Sequence, residues 1–444
     1  MPPHSTLALT ANFWRLAWPA ILRNTLNCAA DRMTLAFVGH YDPERAHYDG
    51  ASLGKMYSNI TGLSIGFGLC LGLATLCSQA NGANEGKLVN GLHLRRCMVL
   101  LVFAFAYSSA AAVLCERLLL AFAQPADVAL CSARYAQVQL IGVPFFWVTQ
   151  ALQTVCDGGL QDTRPGMYAG LISTAAQVGL CAVFVHPALC NWGYLGMAAA
   201  RSAGGVVSLA VIIAIVVVQG RQAEVWRLPS RRQHGLLAAA GPPVMGSDGS
   251  LAPSLAPSLV PSPTSPRVCS SSGLCQFVCV AWPGALMMWL EWWCFEGLTV
   301  MVGTLPDATV LLAAHGTLFN ILVVTYMCFT GLNSALCATV GKHIGAGTAG
   351  WAVPRLICVA LGFAVAFAGA ISATIYLLRD RIAHFFETDA TVVAAQAKEA
   401  AHADGQRHMK DRIILRRPRH ASQGKGAAAV CEMVFAAKTR LVFF

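Results

Sequence analysis

The chain has 444 residues, 56% of them hydrophobic and only 12% charged, with a mean hydropathy of +0.56. A soluble domain carries about 25% charged residues, so the composition excludes an ordinary soluble globule and points to an all-α polytopic membrane protein. The formal net charge of +10 sits in the loops and the C-terminal tail, so it reports on topology and not on nucleic-acid binding.

The opening MPPHSTLALTANFWRLAW lacks a basic n-region and a small-residue cleavage site, which predicts no cleavable signal peptide. Nine apolar stretches then read as transmembrane helices, at roughly 14–39, 51–80, 96–122, 134–156, 166–188, 194–219, 276–303, 308–340 and 354–378. The connection after the second holds Lys87, Arg95 and Arg96, and the one after the sixth holds Arg221, Arg227, Arg231 and Arg232. The loop after the first is acidic instead, with Asp42, Glu44 and Asp49. By the positive-inside rule the N-terminus is cytosolic. Most of the 17 cysteines lie inside apolar runs, where a thiol is a small hydrophobe; an outer-loop bridge among Cys115, Cys131 and Cys190 is the rival.

Glycines 62, 66, 68 and 72 of the second stretch include two GxxxG spacings, which allow close helix approach. Residues 241–267 contain GSDGSLAPSLAPSLVPSPTSP, a Pro/Ser/Leu repeat that cannot form a packed core and reads as a cytosolic linker. On either side the sequence repeats itself. LAWPAIL (Leu16 to Leu22) is echoed by VAWPGAL (Val280 to Leu286), and at the same offset Val38-Gly39 matches Val302-Gly303. That is the mark of a parallel duplication, and transporters place substrate between such repeats. The expected layout is a first lobe over 13–219, a linker over 220–275, a partial second lobe over 276–395 and a basic tail over 396–444. Six helices in the first half predict six in the second, but only three are found, so the chain reads as truncated at its C-terminus.

The most informative stretch is Trp282 to Gly303. It is apolar and long enough to cross a bilayer, yet Glu291 and Glu296 sit near its middle. A mid-membrane acid costs on the order of 2.5–3.5 kcal/mol, which marks it as a pathway residue by default. Trp289, Trp292, Trp293 and Glu296 fall at i, i+3, i+4 and i+7, so three indoles and a carboxylate share one face. Glu291 lies about 140° round from Glu296. Burial disfavours the charged form of a carboxyl and brings its proton exchange toward neutral pH, while an incoming cation favours the ionised form. Substrate and proton then compete for one group, and the indoles offer cation–π contacts worth ~0.5–2 kcal/mol each. The rival reading is a protonated Glu bonded to a neighbouring helix, with the tryptophans as packing. In the first helix Asn24, Asn27, Asp31 and Thr34 form a polar stripe, and Asn27 is the repeat equivalent of Glu291. Asp31 is a second candidate coupling acid; its rival is an ion pair inside the bundle, with Arg23 snorkelling to the surface. Gln79 closes the second helix as a candidate polar contact.

FVGH (Phe37 to His40), ATLCSQANGAN (Ala74 to Asn84), LHLRRC (Leu92 to Cys97), LEWWCFE (Leu290 to Glu296) and TYM with GLNSALCATVGKHIGAG (Thr325 to Gly347) together resemble eukaryotic MATE (multidrug and toxic compound extrusion) transporters. The resemblance covers about residues 13–395. It implies a MATE-like two-lobed bundle, complete in its first lobe and incomplete in its second, in the plasma membrane or a vacuolar-type membrane. It implies efflux of organic cations and xenobiotics by alternating access, coupled to inward protons or, in some members, sodium, with no other cofactor. Glu291 and Glu296 stand at the family's coupling carboxylates. The chain departs from the family at Asn320, where many animal members have an acid, at Thr339, in a shortened DGGLQDTRP turn (Asp157 to Pro165), and in the absent helices 10 to 12. Rival functions are a transport-inactive truncated member and a same-fold exporter of other cargo. No nucleophile–base pair, metal set or GxxxxGK[ST] motif suggests an enzyme.

Overall fold

The computed structural model describes residues 6–42, 44–122, 124–226, 271–303, 308–374 and 376–377. The core of the predicted linker and the basic tail lie outside them. Among the described residues every regular element is helical. In chain order they are α1 (Thr6–Tyr41), α2 (Arg45–Ser58), α3 (Ser64–Gly82), α4 (Gly86–Ala121), α5 (Ala126–Leu140), α6 (Val143–Thr154), α7 (Arg164–Val185), α8 (Gly193–Val218), α9 (Gln222–Trp226), α10 (Ser271–Gly303), α11 (Ala308–Gly345) and α12 (Ala349–Thr374).

Among the described residues seven helices are long and apolar enough to cross a membrane. The predicted spans at 14–39 and 134–156 are the two that are not, for different reasons. The first is helical throughout, as α1, but carries Arg15, Arg23, Asp31 and Arg32. The second is broken at Ile141–Gly142 into α5 of 15 residues and α6 of 12, with Pro144 in the first turn of α6. Gly142 packs so close to α8 that a Cβ would lie 2.6 Å from Ser202 Oγ, so the break lets two helices touch.

Two π turns interrupt the long spans. One, Asn59–Leu63, joins α2 to α3; the other, Val155–Gly159, extends α6. Each inserts a residue into the i→i−4 ladder and turns side chains and carbonyls off the helix pattern. The first leaves the Ile60 carbonyl to accept from Trp289; the second aims Asp157 at α1.

Packing divides the chain into two compact units. The larger holds Met1–Glu296 and Leu322–Ala370, and its core has three main parts. The first lies among α3, α4, α6 and α8 and takes in Phe277 and Ala281 of α10. Trp147 is its largest buried side chain, and Gly66 is the residue without a Cβ that makes room for the indole. The second part joins α1, α5, α7 and α8. The third seats Leu9, Phe13, Leu16 and Ala17 of α1 on Leu332 and Ala335 of α11 and Leu356 and Ala360 of α12, with Trp14 stacked on Phe363 at 5.1 Å. The GxxxG reading of α3 holds. A Cβ on Gly68 would lie 2.5 Å from Ala285 Cα, and one on Gly72 2.5 Å from Ala281 Cβ, so these glycines set the α3–α10 approach. Outward faces are apolar instead of polar, with Val102, Phe103, Val113 and Val218 all well exposed, as a lipid-facing surface requires. The smaller unit, Gly297–Ile321 with residues from Ile371 on, is described over the end of α10, the start of α11 and the end of α12.

Candidate coupling and substrate site

Glu291 projects from the middle of α10 toward α11, where the Tyr326 hydroxyl donates to its Oε1 at 2.7 Å. Phe295, one turn on, meets the Tyr326 ring edge to face at 5.7 Å. Glu291 is partly exposed and makes no ion pair with a described residue. It is therefore a carboxyl held by a neutral donor among the described residues. The side chains of Glu296 and Asn320 lie outside the described residues.

The three tryptophans split. Trp289 Nε1 donates to the Ile60 carbonyl at 3.1 Å, and Trp292 packs on Phe67 of α3 at 6.3 Å. Trp293 stays exposed and meets Trp289 edge to face at 5.8 Å. Trp289 and Trp292 thus dock α10 on the α2–α3 span, and Trp293 is the indole with a free face. Pro283 lies inside α10 as Pro19 lies inside α1, in keeping with the sequence repeat.

The polar stripe of α1 is shared among several neighbours. Asn24 Nδ2 donates to Thr330 Oγ1 of α11 at 3.1 Å, and Asn27, exposed, accepts from Thr174 of α7 at 3.3 Å. Asp31 is ion-paired. Its Oδ2 faces Lys55 Nζ at 3.4 Å and Arg201 Nη2 at 3.3 Å, and its Oδ1 accepts from Gln177 at 3.1 Å. Arg23 does not snorkel. Its side chain is 4% exposed, and both terminal nitrogens donate to Asp157 Oδ2 at 3.1 Å. Among the described residues no hydrogen bond or ion pair joins the Asp31 group to Glu291, so the candidate acids form two separate sites.

Gln79 is buried at the far end of α3. Its backbone carbonyl fits against Gly345, and Gly82 fits against the Lys342 carbonyl, each glycine lying where a Cβ would overlap the partner. Its side chain helps line a small cleft with Glu85, His93, Arg96 and Gln276. Burial pushes the Glu85 carboxyl up from its usual value. Nearby, Gln161 takes a left-handed backbone (φ 53°) that is uncommon for its residue type. From there its amide donates to the carbonyls of Gly158 and, at 2.9 Å, Ala338 of α11. The DGGLQDTRP turn is thus a structural tie. All described cysteines are free; Cys115 and Cys131 are buried within helices.

Sequence reasoning missed Lys55, Arg201, Gln177, Asp157 and Tyr326. A signal existed for the first two, since a Lys and an Arg inside apolar spans are costly enough to need a partner. Tyr326 carried no such mark, because an aromatic in a span is ordinary.

Helices long and apolar enough to cross a membrane, with polar and acidic groups held between them, define a multi-pass integral membrane protein. The MatE family model matches residues 19–183 and 283–403, and the chain belongs to that family. It is 24% identical over 365 residues to Protein DETOXIFICATION 52 of Arabidopsis thaliana, covering 82% of this chain and 62% of that protein. It is likewise 24% identical over 385 residues to Multidrug and toxin extrusion protein 1 of Homo sapiens, covering 85% and 58%. The chain thus spans about three-fifths of the length of these relatives. The fold resembles the crystal structure of the eukaryotic MATE transporter AtDTX14, with a TM-score of 0.69 at 20% identity over 88% of this chain and 77% of that one. A transporter of the MOP superfamily from Pyrococcus furiosus also shares it, with a TM-score of 0.67 at 16% identity over 85% and 74%.

Proposed function

We propose that the chain exports organic cations or xenobiotics by alternating access, in exchange for protons, and that it is not an enzyme. The observation that carries this reading is Glu291, a mid-span carboxyl bonded to a neutral hydroxyl and not to a cation. Such a group gives up its proton when a cationic substrate arrives and takes one back when the substrate leaves. Tyr326 orients the carboxyl, since its hydroxyl donates to the ionised form. Glu296, five residues on, is proposed as the second coupling acid. Trp293, with Trp289 behind it, is proposed as the aromatic contact for the cation. Asp31 receives the other of its two readings. With Lys55 and Arg201 on one oxygen its charge is already taken up, and we assign it to holding α1, α2 and α8 together.

The test is efflux of tetraethylammonium or ethidium from vesicles carrying the full chain, under an imposed pH gradient. Gradient-driven flux is expected in the wild type and lost in Glu291→Gln, while Tyr326→Phe retains flux with a weakened dependence on the gradient. No flux from well-inserted wild-type protein, or flux unchanged in Glu291→Gln, overturns the assignment. Replacing protons with a sodium gradient distinguishes the coupling ion.

A further inference from the structure

The Asp31 group and the helix that carries Glu291 both hold one stretch of the chain, the π turn Asn59–Leu63. α2, this turn and α3 follow one another without a break, and the partners change at the turn. On the α2 side they belong to the Asp31 group. Lys55, one turn before Asn59, reaches the Asp31 carboxylate at 3.4 Å, and the Asn59 side-chain oxygen accepts from Arg201 Nη2 at 3.3 Å. On the α3 side the partner is α10. Trp292 packs on Phe67, and a Cβ on Gly68 or Gly72 would stand 2.5 Å from an atom of Ala285 or Ala281. Inside the turn, the Ile60 carbonyl accepts from Trp289 of α10 at 3.1 Å and from the Ser64 hydroxyl at 2.6 Å.

One nitrogen serves both the ion group and the turn. Arg201 Nη2 faces Asn59 Oδ1 and Asp31 Oδ2, each at 3.3 Å, and its two hydrogens allow one bond to each. The bond to the carboxylate is charge-assisted and is the stronger of the two, so Asp31 fixes where the guanidinium sits. A π turn is also the part of a helix that has an alternative. It holds one residue more than the α ladder around it, and each residue is about 100° of rotation. Passing the surplus residue to a neighbouring turn exchanges backbone bonds for others of the same kind. A shift that passes across Asn59 or Ile60 breaks the bond to Arg201 or to Trp289, so these two bonds pin the present arrangement.

We propose that the Asn59–Leu63 π turn is the joint through which the Asp31 group and α10 act on each other, with Arg201 and Asn59 as positioning residues for the helix that carries Glu291. Neutralising Asp31 slackens Arg201 and releases the turn on its α2 side. Trp289, two residues before Glu291, then loses the fixed carbonyl on which it is docked. The bearing of this joint on export rests on the reading of Glu291 as a coupling acid; its existence does not, and it is tested without transport.

The experiment is a double-variant cycle of Asp31→Asn with Trp289→Phe on the full chain in mixed micelles, read as the unfolding equilibrium constant. Asp31 and Trp289 share no bonding partner among the described residues, so without the joint their effects on that constant simply multiply. The expected result is a departure from that product of about threefold or more. It is expected to disappear when the cycle is repeated in Asn59→Ala, where Arg201 no longer holds the turn. A smaller departure in the wild-type background overturns the proposal. A departure that survives Asn59→Ala overturns it equally, because the coupling then runs by another route. Where Asp31→Asn fails to fold, Gln177→Leu takes its place in the same scheme, since it removes the bond to Asp31 Oδ1 and leaves every charge in position. Flux lost in Glu291→Gln beside a multiplicative cycle would keep the exporter reading and reject the joint.

Discussion

The Arg23–Asp157 pair is the interaction whose removal has the best-defined consequence. Both partners are buried, and they join α1 to the π turn after α6 across 134 residues of chain. Both guanidinium nitrogens bind one oxygen, Oδ2, while Oδ1 is buried without a partner. Asp157→Asn therefore has one tolerable orientation, with the amide oxygen toward Arg23. That orientation puts the new NH₂ where no acceptor waits and leaves the Arg23 charge without a counter-charge. Breaking one side of a buried pair costs about 3–5 kcal/mol, and the unmatched donor adds on the order of 1 kcal/mol or more. Replacing both partners, as Arg23→Met with Asp157→Leu, removes the stranded charge and is expected to recover most of the loss. Reversible unfolding of the purified protein, titrated from mixed micelles with a denaturing detergent and followed by helix content, measures Asp157→Asn and the four corners of the cycle: wild type, Arg23→Met, Asp157→Leu and the double variant. A coupling energy under ~1 kcal/mol, or a double variant no more stable than Asp157→Asn, would refute the reasoning. It would mean that water reaches the pair.

Gly82→Leu should destabilise by at least ~1–3 kcal/mol in the same assay, since the new side chain meets the Lys342 carbonyl, which cannot move out of the way. A neutral result would show that α3 and α11 do not approach as described. Trp289→Phe keeps the ring contact with Trp293 but loses the bond to the Ile60 carbonyl, and is expected to cost ~1 kcal/mol; Trp293→Phe, which loses no such bond, should be milder. For Glu85 the sign follows from its raised folded-state value. Ionisation is easier in the unfolded chain, so this group's stabilising contribution is present at acid pH and is lost as pH rises through its folded value. Glu85→Gln is accordingly expected to stabilise the protein at neutral pH and to do nothing in acid, and melting curves at the two pH values check it. Flux through Glu291→Gln completes the set.

The long helices and their order were legible because a bilayer leaves few options. A span must satisfy its own backbone and present apolar side chains, and both demands are written along the chain. The WPGAL repeat, the α3 glycines and the two mid-span acids of α10 were visible for the same reason: each breaks or repeats a simple pattern. What linear pattern could not supply was the partner of each polar group. Asp31 and Glu291 are both acids in apolar helices by sequence. The fold separates them, placing Lys55 and Arg201 on one and a tyrosine hydroxyl on the other. The π turns, which aim Asp157 at Arg23 and free the Ile60 carbonyl for Trp289, have no signature in residue type. They are local departures from the helix ladder that only the neighbouring helices make worthwhile. Sequence alone therefore determined that this chain crosses a membrane and where its costly residues lie. The tertiary structure decided which of those residues are neutralised and which remain open, because compensation of a charge depends on what stands within about 4 Å of it in space and not on its neighbours along the chain.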